Sequence, residues 1–144
     1  MLFFRAILLG MIITMTSHNS AAARSPDRAA VRVHCMATDL PARQVRSLCQ
    51  QMVQSLAGVL PQAALRQVGA AEWAPLRPRD ISVRLELSGQ SGKLLWQMGP
   101  MGELHTGPAL PFHAKMTAKT PRLRAFTDDL VASTQPMLAA TLKK

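Results

Sequence analysis

The sequence predicts an α+β fold, a two-layer sandwich in which an antiparallel-rich sheet of four to five strands carries two helices on one face. Four segments alternate apolar and polar residues as half-buried strands do, and two show the three- and four-residue spacing of amphipathic helices. Turns containing Gly or Pro separate these segments. Because such strands have one apolar face, two helices are enough to cover the sheet. The predicted order is β-α-β-β-β-β-α.

The first two elements are a strand and a helix. Residues 30–36 alternate, with Val31, Val33 and Cys35 predicted to point inward. A helix should follow, with Thr38 or Asp39 as its N-cap and Pro41 in its first turn. Gly58 and Pro61 mark its end. Its apolar stripe comprises Val45, Leu48, Cys49, Met52, Val53, Leu56 and Leu60.

The sequence pattern in the middle of the chain predicts a hairpin, which follows a segment that fits either a strand or a helical turn. For residues 62–69 a short strand is favoured over a helical turn, and residues 70–79, with Trp73 and two prolines, read as a connector. Residues 80–88 form the clearest strand, and residues 93–98 return after a four-residue turn at 89–92. The inward residues are Ile81, Val83, Leu85 and Leu87 on one strand, and Leu94, Trp96 and Met98 on the other.

The last third predicts a loop, an edge strand and a helix. Residues 99–107 form the loop, and residues 109–117 alternate again, with Pro111 confining the strand to an edge. A helix opens at Thr120-Pro121, and Pro136 should kink or end it. The inward residues are Leu110, Phe112, Ala114 and Met116 on the strand, and Leu123, Phe126, Leu130 and Val131, with Met137 and Leu138 as further candidates, on the helix.

The first 23 residues have the pattern of a secretory signal peptide. A short segment containing Arg5 precedes the apolar run 6–15, and Ala21-Ala22-Ala23 offers a cleavage site before Arg24. The alternative is an uncleaved membrane anchor, but a spanning helix needs about 20 apolar residues. The expected organisation is a leader at 1–23 and one domain at 24–144. We therefore expect a periplasmic or secreted protein without a transmembrane anchor.

Export also bears on the two cysteines. Cys35 lies on the apolar side of the first strand and Cys49 on the apolar stripe of the first helix, so both should face the layer between sheet and helix. An even number of cysteines in an exported chain favours a disulfide. The alternative is two buried free thiols, which behave as small hydrophobic groups. The spacing excludes a CxxC redox motif.

Composition excludes several classes of protein. The chain has 144 residues, 48% hydrophobic and 17% charged, which does not fit a disordered, collagen-like, coiled-coil or multi-span membrane protein. Its net charge of +9 would attract anionic polymers, lipids or nucleic acid, or would serve only to keep the protein soluble. Nucleic acid is not expected, because stacking platforms are scarce at 4% aromatic residues and the chain is exported. The candidate anion-binding residues are Arg77, Arg79, Lys115, Lys119, Arg122 and Arg124.

No motif predicts catalysis or a cofactor. His34, His105 and His113 lack a metal-binding spacing, and surface exposure explains them as well. Each carboxylate has a structural explanation such as a cap or an ion pair, and no serine lies in a nucleophile motif. The loop at 99–107 offers Met101, Leu104 and His105 as a candidate interaction surface, or is a plain connection.

These observations favour a non-enzymatic exported domain that binds a protein partner in the bacterial cell envelope. The alternative is a cationic binder of anionic envelope polymers or lipids. A metal-dependent enzyme is a third hypothesis, which convergence of the three histidines would favour.

Overall fold

The protein is described from a computed structural model that covers residues 29–113, 115 and 120–143. Its elements are β1 (Ala30–Ala37), α1 (Ala42–Val59), β2 (Ala64–Gln67), a 3₁₀ turn (Ala70–Glu72), β3 (Ile81–Ser88), β4 (Ser91–Met98), β5 (His105–Thr106), β6 (Leu110–Pro111) and α2 (Thr120–Leu142). The α+β architecture and the β-α-β-β-β-β-α order of its main elements are as the sequence predicts. Residues 1–23, which carry the predicted leader, lie outside the described residues.

The sheet is mixed. Its strand order is β2-β1-β3-β4-β5, with β6 also paired to β4. β1 lies between β2 and β3 and is parallel to both, whereas β4 pairs antiparallel with β3, β5 and β6. Alternation predicts which side chains face the core but does not fix strand direction, so the two parallel pairs are a structural finding.

Both helices pack on one face of the sheet and close a single core. Trp96, Leu48, Met52 and Leu85 are almost completely buried in it. The predicted stripe of α2 is confirmed for Leu123, Phe126, Leu130, Val131 and Leu138, whereas Met137 is exposed. Ala114 and Met116 of the predicted last strand lie outside the described residues.

Two predicted boundaries are wrong. α1 begins after Pro41, with no side-chain cap, because the residue before a proline is disfavoured in helical conformation. The hairpin turn has two residues, Gly89 and Gln90, since Gly89 adopts a φ of +59° that suits a tight turn. Of the two outcomes predicted for Pro136, an end of the helix is wrong, because α2 continues past this residue to Leu142.

The other face of the sheet is partly covered by the connector between β2 and β3. The Ser82 hydroxyl, predicted to face solvent, donates to the Trp73 carbonyl and is buried. The Arg84 guanidinium lies 4.5 Å from the centre of the Trp73 ring. Arg32 donates to the Ala74 carbonyl at 2.6 Å. The connector therefore crosses the sheet on the side opposite the helices.

Candidate functional site

A groove of about 940 Å³ lies at the carboxyl ends of β1, β2 and β3, beside the start of α1. The three strands run parallel, so their last residues meet at one edge of the sheet. Its lining includes His34–Ala37 from β1, Gln67–Gly69 at and after the end of β2, Glu86–Ser88 from β3, and Leu40, Ala42, Val45 and Arg46 around the start of α1.

The path of the chain explains why a groove forms there. From β1 the chain turns onto the helix face to form α1, and from β2 it turns onto the opposite face to form the connector. Neighbouring strands whose connections leave in opposite directions have a crevice between their carboxyl ends, and this is the usual ligand-binding position in open α/β sheets. The groove follows from the topology and needs no local distortion.

The lining combines an aliphatic part with several charged groups. Met36, Leu40, Val45 and Leu87 supply the larger apolar side chains, and Met36 is 40% exposed. No Phe, Tyr or Trp is among the described lining residues. The groove can therefore accept aliphatic side chains, and its charged residues can orient polar groups around them.

Four charged or titratable side chains lie along the groove: His34, Arg46, Glu72 and Glu86. Three of them have protein partners. His34 Nδ1 is 3.2 Å from the Val68 carbonyl oxygen. Glu72 pairs with Arg66 at 3.6 Å, and Glu86 with Arg84 at 3.7 Å. The Glu72–Arg66 pair is exposed and weak, whereas the half-buried Glu86–Arg84 pair orients Glu86 more firmly.

The Cys35–Cys49 disulfide joins β1 to α1 beside the groove. The bond is formed, with the two Cα atoms 5.7 Å apart, as the sequence predicts. Both cysteines are buried in the core, and Cys35 also belongs to the groove lining. The disulfide therefore ties the strand and the helix that form two walls of the groove.

The candidate anion-binding residues fall at two ends of the hairpin. Arg77 and Arg79 precede the first residue of β3, whereas Lys115, Arg122 and Arg124 follow β6, which pairs with the first residues of β4. Arg124 pairs with Asp128 at 3.8 Å. Lys119 lies outside the described residues. The two groups do not form one continuous basic surface.

Arg77 is engaged by a buried carboxylate. Its Nη2 lies 3.0 Å from Asp80 Oδ1, and its backbone N–H also donates to Asp80. Burial alone would raise the pKa of Asp80, but the hydrogen bonds from Arg77 and the charges of Arg77 and Arg32 outweigh burial and lower that pKa. The pair therefore has a structural role at the start of β3.

The candidate interaction loop has one inward and two outward residues. Met101 is 96% exposed and Leu104 is 47% exposed, as expected of a contact surface. His105 instead forms β5 and stacks on Trp96, with ring centres 5.6 Å apart. A two-residue strand is too short to show an alternating pattern, so the sequence predicted only a loop there.

The three histidines do not converge. His34 lies on β1 and His105 on β5, three strands apart, about 14 Å at the usual strand spacing. His113 follows β6 and is exposed. Among the described side chains, no three His, Cys, Asp or Glu residues are placed to share a metal ion.

Sequence reasoning missed the groove because it depends on strand pairing. The predicted β-α-β order at the start of the chain was the available signal, since two strands joined by a helix are often parallel. Over the described residues, no helix is long and apolar enough to cross a membrane. Comparison with known proteins finds no family model and no curated sequence that matches this chain.

Proposed function

We propose that the chain is an exported, non-enzymatic domain that binds a protein partner in the bacterial cell envelope. The groove at the carboxyl ends of β1, β2 and β3 carries the proposal. Its volume of about 940 Å³ is at the upper end of the range for ligand clefts. An extended or helical segment of the partner would place aliphatic side chains against Met36, Leu40 and Val45.

Two features support export. The first 23 residues have the order of a signal peptide: a basic start, an apolar run and small residues before Arg24. The Cys35–Cys49 disulfide is of the kind that persists in oxidising compartments such as the periplasm. Both are consistent with a domain that meets its partner in the cell envelope.

The character of the lining supports a protein segment as the occupant. Small-molecule sites use aromatic side chains extensively, and among the described lining residues only His34 has an aromatic ring. Methionine adapts its shape to different apolar partners, and Met36 is the most exposed large apolar side chain in the groove. His34, Arg46 and Glu86 would orient the polar backbone of the segment.

Site-specific photo-crosslinking tests this proposal. A photoreactive residue replaces Met36 in the groove, and a matched control replaces Met137, which has a similar exposure on α2. We expect one envelope protein to be captured at position 36 and not at position 137. An apolar contact would hold at high salt, whereas binding by dispersed positive charge would weaken steeply.

A substitution tests the same site with the photoreactive residue at a second groove position. Met36→Lys should abolish the crosslink formed from a second groove position, Val45, because it places a charge among aliphatic contacts. Met137→Lys should leave that crosslink unchanged. Equal capture at positions 36 and 137, or a partner that binds Met36→Lys normally, would contradict the proposal.

A further inference from the structure

Four exposed apolar side chains lie at the end of the domain opposite the groove. They are Leu76, Met101, Leu104 and Leu142, with exposures of 72%, 96%, 47% and 38%. The described part of the chain has six large hydrophobic side chains with such exposure, and Met36 and Met137 are the other two. We call these four residues, with the cations Arg79 and Lys143, the apolar end surface.

Backbone pairing brings the two loops of this surface together. Ile81 at the start of β3 pairs with Met98 at the end of β4, so the loops before and after this pair are neighbours. The Gly99 N–H donates to the Asp80 carbonyl at 2.8 Å. A Cβ at Gly99 would lie 2.8 Å from the Pro78 carbonyl oxygen, which shows how closely the loops approach.

Trp96 brings the helix end to the same place. Its ring stacks on His105, the residue after Leu104, and its indole N–H donates to the Thr141 hydroxyl at 3.1 Å. Leu142 and Lys143 follow Thr141 directly. The strand end, both loops and the carboxyl end of α2 therefore share one end of the domain.

Hydrogen bonds hold the backbone of both loops. The Gly102 N–H donates to the Gly99 carbonyl at 3.2 Å, which closes a tight turn with Met101 near its tip. The Asp80 N–H donates to the Arg77 carbonyl at 3.0 Å, and the Arg77–Asp80 ion pair holds the loop that carries Leu76. The exposed side chains of Leu76 and Met101 are therefore carried by loops whose backbone is hydrogen-bonded.

Charge around this surface favours an anionic partner. Arg79 and Lys143 are exposed there, and Arg77 neutralises the buried Asp80, which leaves Glu103 as the exposed anion of these loops. The chain as a whole carries +9. Apolar side chains flanked by cations are the usual pattern of a protein surface that lies on an anionic bilayer.

We propose that the apolar end surface docks on a bilayer rich in anionic lipid. The side chains of Leu76 and Met101 would enter the boundary between headgroups and acyl chains, and Arg79 and Lys143 would contact the headgroups. A fluid bilayer accepts separate apolar tips without shape complementarity, whereas a protein interface needs one well-packed central patch. The groove at the other end would stay open to the envelope partner.

Vesicle binding tests this inference. The full chain is expressed, and the protein is purified with whatever N-terminal processing the cell performs. Its co-flotation is then measured with two kinds of vesicle: phosphatidylglycerol with phosphatidylethanolamine, and phosphatidylcholine alone. We expect binding to the anionic vesicles that weakens from low to physiological salt, and little binding to phosphatidylcholine.

Substitutions test whether vesicle binding depends on the apolar end surface. Leu76→Ser with Met101→Ser should lower affinity for the anionic vesicles about 10-fold or more, because two apolar side chains that would enter the bilayer are lost. Arg79→Glu should lower it about 10-fold through charge reversal. The matched controls are Met36→Ser and Arg43→Glu, which alter exposed residues beside the start of α1 and should stay within about 2-fold.

All these variants keep the same N-terminal residues, so differences between them come from the substituted positions. Far-ultraviolet circular dichroism shows whether each one is folded. The inference is overturned if the folded Leu76→Ser, Met101→Ser protein binds anionic vesicles as tightly as the unaltered chain. It is also overturned if the unaltered chain binds no vesicles, or if this surface captures a protein instead.

Discussion

Asp80 is a buried carboxylate that depends on one neighbouring guanidinium. It is 1% exposed just before β3 and receives hydrogen bonds from both the backbone and the side chain of Arg77. Burying an unpaired carboxylate would be costly, so this ion pair is what allows the charge to remain at the start of the strand. It also holds the loop that carries Leu76.

We predict that Asp80 contributes stability at neutral pH and loses that contribution in acid. Its pKa in the folded protein is below that of the unfolded chain, so the contribution is full above the unfolded pKa, about 4, and disappears as pH falls through the folded value. Asp80→Asn should reduce the free energy of unfolding by about 1–3 kcal/mol at pH 7. Urea titrations from pH 7 to pH 2 measure both effects.

The control for this prediction is Asp129→Asn, which alters an exposed carboxylate on α2. Its effect on the free energy of unfolding should be a few tenths of a kcal/mol at each pH. The difference between the unaltered protein and Asp80→Asn should shrink toward low pH, because Asp80 is then protonated in both states. A difference that stays constant across the range would show that the charge of Asp80 is not the cause.

At the scale of elements, the disulfide connects one strand to one helix. The two cysteines are 14 residues apart, and their bond adds a covalent link between β1 and α1 to the apolar contacts of Leu48 and Met52. A crosslink of this span stabilises mainly by restricting the unfolded chain. Because Cys35 lines the groove, the link also sets the position of α1 against the end of β1.

Removing the disulfide should lower the free energy of unfolding by up to about 3 kcal/mol. Cys35→Ala with Cys49→Ala also removes two sulfur atoms from the core, so the unaltered protein with its bond reduced is the matched comparison. Dithiothreitol should lower the midpoint of urea unfolding for the unaltered chain and leave the double variant unchanged. If the reductant has no effect on the fully reduced unaltered chain, the disulfide adds no stability.

Helices and strands were predictable where the sequence carries a local pattern of apolar and polar residues. Period-two alternation identified β1, β3 and β4, and the helical stripes identified α1 and α2. The same two patterns placed Cys35 and Cys49 in one layer, which predicted their bond. In the predicted interaction loop, outside the groove, Met101 and Leu104 are exposed as the sequence predicts.

What the sequence did not show depends on pairing between distant segments. The direction of β1 relative to β2 and β3 is set by the connections and by the register of the whole sheet, and the groove follows from it. The burial of Ser82 depends on the connector folding back over the sheet to reach it. Leu95, on the side opposite Trp96, is also buried, although alternation alone placed it in solvent.

At the scale of the whole molecule, the two proposed surfaces lie at opposite ends of one sheet. The groove includes the last residues of β3, and the apolar end surface begins just before its first residue. The eight residues of β3 span about 25 Å, which is beyond the range of direct contact between substituted side chains. Substitutions that far apart, with no shared partner, usually act additively.

We therefore predict that the two binding activities separate. Met36→Lys should abolish partner capture in the groove and leave affinity for anionic vesicles within about 2-fold, whereas Leu76→Ser with Met101→Ser should do the reverse. The triple variant, which combines these two parent variants, should lose both activities. Each loss should equal the loss measured in the corresponding parent variant. Crosslinking from Val45 and vesicle flotation, measured on the same four proteins, test this directly. If either parent changed both activities, the two ends would be coupled and the assignment of one surface to each activity would be wrong.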